Sequence, residues 1–139
     1  MALPLLPHRC PQVLLRSPAR GKGAISTLVL SPTRELASQI CKEAEMLSCF
    51  HAKLTTNVIF GGVPIKKDYA KFGAGVDILV ATPGRLIDHL DNTDGFAAKL
   101  AHISFLIFDE ADQMLDMGFR PGERTRQSLN KTRARSARK

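Results

Sequence analysis

Two adjacent carboxylates, Asp109 and Glu110, follow directly on an apolar run, residues 103–108 (ISFLIF), with a third acid at Asp112. A carboxylate emitted at the end of a buried strand can hold Mg2+, usually through water, and a second beside it can orient and deprotonate an attacking water. The local alternative is an acidic helix N-cap, favoured by the helix dipole. Two further clusters combine a threonine with an arginine: Pro32-Thr33-Arg34-Glu35 and Thr82-Pro83-Gly84-Arg85. Hydroxyls, guanidinium groups and the free N–H groups of a helix N-terminus are groups that grip phosphate. Here the alternative is a pair of ordinary helix caps whose arginines salt-bridge locally. Gly61, Gly62 and Gly84 carry no Cβ, so a bulky backbone can come close to them.

The elements that must position these clusters alternate along the chain. Short apolar runs at residues 25–30, 55–60, 77–81 and 103–108 predict four strands. Residues 36–50, 64–72 and 84–90 carry helical spacing or helix starts between them. Strands alternating with helices imply an α/β fold, a parallel sheet with flanking helices on both faces. Each strand delivers a polar cluster at its C-terminal end, and in open α/β sheets ligands bind in the crevice beyond those ends. Taken together on one edge, the Thr/Arg and Gly clusters favour a polyphosphate track such as a nucleic-acid strand.

The chain of 139 residues is long enough for one domain at most. Its 44% apolar and 24% charged residues are ordinary for a soluble globular protein. No apolar run reaches the ~20 residues of a bilayer crossing, so no membrane partner is expected. Cys10, Cys41 and Cys49 are too few and too irregularly placed for a disulfide framework, which favours a reducing, intracellular setting. Cys41, Cys49 and His51 match no zinc spacing. The net charge of +7 lies wholly in the tail: residues 1–119 hold 12 basic and 12 acidic side chains, and residues 120–139 hold eight basic ones and a single acid. Residues 120–139 therefore read as a basic disordered tail, with a nonspecific nucleic-acid arm as the alternative. Residues 1–23 are acid-free and carry Pro4, Pro7, Pro11 and Pro18, which break an amphipathic transit helix. They read as a disordered or non-native leader, leaving 24–119 as the folded part.

SPTRELASQI resembles motif Ia of the DEAD-box ATP-dependent RNA helicases, FGG their glycine doublet, VDILVATPGRLIDHL motif Ib with its strand, and FLIFDEADQMLDMGF motif II with its trailing helix. The order and approximate spacing also fit, over about residues 25–121. The resemblance implies a partial first RecA-like, ATP-binding domain. It implies that Asp109 holds Mg2+ at the ATP phosphates through water, that Glu110 activates the hydrolytic water, and that Asp112 couples the nucleotide to other motifs. It further implies that Pro32, Thr33, Arg34, Gly61, Gly62, Thr82, Pro83, Gly84 and Arg85 lie along an RNA sugar-phosphate backbone. Such contacts carry no base specificity. The sequence contains neither a G-x-x-x-x-G-K-[ST] phosphate loop nor a Ser-Ala-Thr motif. On the resemblance, these 139 residues are a fragment of a helicase, inactive alone. A non-catalytic RNA-binding or interfering module is the alternative. The resemblance also implies that residues 103–108 form an unpaired sheet edge, because the strands that would lie beyond them carry the two missing motifs.

Overall fold

A computed structural model describes residues 24–49, 54–73, 75–101 and 103–118. The expectations for residues 1–23 and 120–139 lie outside them. Four strands form one sheet: β1 (Thr27–Leu30), β2 (Thr56–Ile59), β3 (Ile78–Ala81) and β4 (Phe105–Phe108). The order across it is β2-β3-β1-β4 and every pairing is parallel. The α/β class read from the sequence is the observed one.

Among the described residues five helices connect and cover the strands. α1 (Arg34–Ser48) packs on one face, where Ala37, Ile40 and Cys41 meet Val29, Ile78 and Val80. α2 (Lys66–Gly73), α3 (Pro83–Asn92), α4 (Phe96–Leu100) and α5 (Ala111–Asp116) line the other. There Phe72, Leu86, Leu90, Phe96, Leu100 and Met114 close over Leu28, Leu30, Ile59 and Leu79. Successive strand residues point to opposite faces, so each apolar run feeds both cores. α1 starts where it does because the Thr33 hydroxyl accepts the Leu36 N–H at 3.2 Å. Pro83 opens α3, its missing N–H costing nothing in a first turn.

β1 and β3 are buried at every residue, whereas β4 alternates between half-buried and exposed. Among the described residues β4 is one sheet edge, as the resemblance implied, and β2 is the other. Leu106 is 50% and Phe108 36% exposed. By register they share the face of Leu28 and Leu30, so the second core thins out beneath the acid pair.

Two details differ from the sequence reading. α4 lies in a stretch that carried no predicted element. The strands are each four residues long, shorter than the apolar runs that predicted them. Residues at the run ends close the sheet by single contacts, such as Ser26 N–H to the Asp77 carbonyl at 3.0 Å.

Candidate RNA and nucleotide edge

Ile59, Ala81, Leu30 and Phe108 lie in register as one row across the sheet. The residues that follow them therefore leave the sheet at one level. Backbone bonds tie these departures together: Ser31 N–H donates to the Ala81 carbonyl at 3.1 Å, Thr82 N–H to Ile59 at 3.1 Å and Asp109 N–H to Leu30 at 2.9 Å. The four polar clusters thus share one edge. Their order is Gly61-Gly62, Thr82–Arg85, Pro32–Arg34 and Asp109–Asp112, with the acids on the flank.

Gly62 sits at φ +88°, a backbone region that L side chains rarely adopt. The Arg34 guanidinium lies over it: a Cβ there would fall 2.8 Å from Cζ and 2.9 Å from Nη2. Arg34 is exposed and has no charged or hydrogen-bonding partner among the described residues. Above Gly61 and Gly84, by contrast, the space is open to 4 Å. Thr82 caps α3 without a side-chain hydrogen bond, so its hydroxyl is uncommitted. Thr33 uses a lone pair in capping and keeps its O–H free to donate. Pro32, Thr82, Pro83, Gly84 and Ile87 line a groove of about 230 Å3 together with Met114, Met117 and Gly118. The groove joins the Thr/Arg turns to the helix that follows the acids.

Arg85, expected from the resemblance to lie along the track, is held by internal partners. It is 7% exposed. Its Nε donates to Asp68 Oδ2 at 2.8 Å, Nη2 to the Val63 carbonyl at 2.8 Å and Nη1 to Asp88 at 3.4 Å. For this arginine the local alternative, a salt-bridged helix residue, is the arrangement found. The physical reason is a buried carboxylate below it, Asp68, which the sequence reading did not single out. Asp68 stands among lysines in α2 and looks like a surface residue. The available signal was that Arg85 and His89, four apart, share a helix face.

Asp109 is half-buried at the end of β4, and Glu110 is exposed. Burial raises the Asp109 carboxyl above its ordinary range, with the charge of Glu43 adding to the effect. A carboxylate so placed fits a divalent cation, which would relieve that same penalty. Glu110 caps α5 at φ 50°, ψ 52°, the left-handed region that non-glycine residues rarely enter. Strain of this kind persists where surrounding structure enforces it, and it clusters at active sites. Asp112 is exposed in the first turn of α5. Asp109, Glu110 and Asp112 thus gather at the end of β4 and the start of α5.

The family model for DEAD/DEAH box helicases matches residues 3–137. The chain belongs to that family. It is 43% identical over 111 residues to DEAD-box ATP-dependent RNA helicase 26 of Oryza sativa subsp. japonica, covering 79% of this chain and 21% of that protein. It is also 43% identical over 108 residues to probable ATP-dependent RNA helicase ddx18 of Dictyostelium discoideum, covering 78% of this chain and 17% of that protein. The crystal structure of the yeast DEAD-box splicing factor Prp28 superimposes with a TM-score of 0.67 at 34% identity, over 85% of this chain and 28% of that one. The α/β sheet with its flanking helices is the RecA-like arrangement of that helicase. The chain spans about a fifth of the length of the curated relatives it matches.

Proposed function

We propose that these residues form the RNA-backbone track and the magnesium-side acids of the first motor domain of an ATP-dependent RNA helicase. The in-register row at the strand ends carries this reading, because it places every candidate phosphate-binding group on one side of the acids. Thr33 and Thr82 offer hydroxyls, Arg34 a guanidinium seated over Gly62, and Gly61 and Gly84, with Pro83 beside them, open backbone to a sugar-phosphate strand; contacts of this kind carry no base specificity. Asp109 would hold the Mg2+ of a bound ATP, which would supply positive charge at the transferring phosphoryl group. Glu110 would accept a proton from the attacking water, and Asp112 would link the site to neighbouring segments. With no phosphate loop in the sequence, the 139 residues alone are expected to bind RNA without turning over ATP.

The test is titration of oligouridine and oligoadenosine single strands across a salt series. Weak, salt-sensitive binding without base preference is expected, and Arg34→Ala should weaken both strands equally. A strong preference for one sequence would overturn the track. Phosphate release with saturating RNA should stay at background; RNA-stimulated turnover that disappears in Glu110→Gln would overturn the expectation of inactivity.

A further inference from the structure

Beneath the track lies a buried polar network. Asp68 is 0% exposed on α2, a helix whose Lys66, Lys67 and Tyr69 face solvent. Its Oδ2 accepts from Arg85 Nε at 2.8 Å and faces His89 Nε2 at 3.0 Å. Its Oδ1 faces Lys71 Nζ at 3.3 Å, an ion pair without hydrogen-bond geometry. His89 is itself 0% exposed, its Nδ1 lying 2.8 Å from Thr93 Oγ1. A carboxylate only accepts, so Nε2 donates to Asp68, and Nδ1 shares its bond with the Thr93 hydroxyl. Phe72 and Phe96 stand edge-on and tilted to the ring, at 5.2 and 5.1 Å, and close the network off. Lys71 reaches on to the Val58 carbonyl of β2 at 2.6 Å.

We propose that Asp68, Arg85 and His89 form a brace that sets the spacing between the Gly61-Gly62 turn and the Thr82-Pro83-Gly84 turn, so that both meet one RNA strand in register. The inference rests on the RNA-track reading. It makes Arg85 a positioning residue that touches no phosphate. The geometry carries it: Arg85 follows Gly84 directly, and the carbonyl that its Nη2 holds belongs to Val63, the residue after Gly62. One guanidinium therefore spans both turns, and Asp68 and His89 fix where it sits. Buried ion pairs add little net stability once desolvation is counted, and their best-attested use is to fix one geometry. Here the geometry fixed is that of two groups of phosphate donors. Gly62, held in this turn, is also the residue under the Arg34 guanidinium.

The test compares Arg85→Lys with Arg34→Ala in the 139-residue chain, titrated with oligouridine across a salt series. Arg85→Lys keeps the charge but cannot reach Asp68 and Val63 together. It is expected to weaken binding about tenfold while the salt slope stays unchanged, whereas Arg34→Ala lowers the slope by about 0.7, the share of one phosphate on a single strand. 15N relaxation should show residues 61–63 more mobile in Arg85→Lys without RNA, which loss of stability alone would not produce. His89→Gln, a milder change, should give a smaller effect of the same kind and keeps the test open if Arg85→Lys fails to fold. A reduced salt slope in Arg85→Lys would place Arg85 on phosphate and overturn the brace. So would unchanged affinity. If Arg34→Ala changes neither affinity nor slope, the track reading fails and the brace falls with it; if only the arginine in the brace is silent, the brace fails alone.

Discussion

Arg34 and Arg85 occupy two versions of one local pattern, a buried strand followed by a threonine cap and an arginine in the first turn of a helix. Their fates are opposite. Arg34, one residue past its cap, lies exposed over Gly62 with no partner among the described residues. Arg85, three residues past its cap, turns inward onto a carboxylate that is out of contact with water. A basic side chain at the ligand edge of a sheet is therefore not by itself a phosphate ligand. What decides is whether a counter-charge lies within reach beneath it.

The largest expected effect separates the two arginines through stability. Asp68→Ala leaves Arg85 and His89 without their shared acceptor, and breaking a buried pair in this way costs ~3–5 kcal/mol. Arg34→Ala should stay within ~0.5 kcal/mol, as surface changes usually do. Urea denaturation reads both, and similar costs for the two variants would erase the distinction. Next comes the glycine between them. Gly62→Ala forces a Cβ into a positive-φ position and against the Arg34 guanidinium, and is expected to cost ~1–3 kcal/mol. Gly84→Ala meets open space in a helix and should be neutral or stabilise by up to ~1 kcal/mol, yet it should still weaken RNA binding. A Gly84→Ala variant with unaltered RNA affinity would remove that turn from the track.

Smaller effects come from acids on the two sides of the molecule. Burial pushes the Asp68 carboxyl up, but bonds from His89 and Arg85 and the charge of Lys71 outweigh it and hold it below the ordinary range. A depressed carboxylate pKa gives stability that is present above the unfolded value, ~3.9, and lost as pH falls through the folded one. The wild-type chain should lose that component below about pH 4, and Asp68→Asn should show no such step in a denaturation series. Asp109 has the reverse sign, since burial raises it. Its folded form favours the proton, so ionisation at neutral pH costs stability, and Asp109→Asn should stabilise the fold by less than ~1 kcal/mol while weakening any Mg2+ binding. A destabilised Asp109→Asn would mean that the carboxylate has a structural partner.

Much of this was legible in the sequence, and the exceptions have a common cause. The four strands announced themselves by β-branched and apolar composition, and the clusters by their place at the strand ends. Strand order did not, because β1 pairs with β3 and β4, both distant in the chain. α4 was hidden behind Asn92-Thr93-Asp94-Gly95, a stretch of turn residues, and five helical residues are too few for a periodic signal. The partner of Arg85 was illegible for the same reason as strand order: Asp68 lies 17 residues earlier on another helix. Local chemistry shows in a local sequence; a counter-charge supplied by a different element does not.

The position of β1 between β3 and β4 also has a consequence in time. Thr27 pairs with Ile78 and Phe105. Parallel strands so far apart make a high-contact-order sheet, which pays for loop closure before it gains pairing and folds slowly. On a ribosome adding ~5–20 residues per second, the first partner of β1 is completed roughly 3–10 s after β1 itself. During that interval Leu28, Val29 and Leu30, destined to be among the most buried residues of the fold, have no strand to lie against.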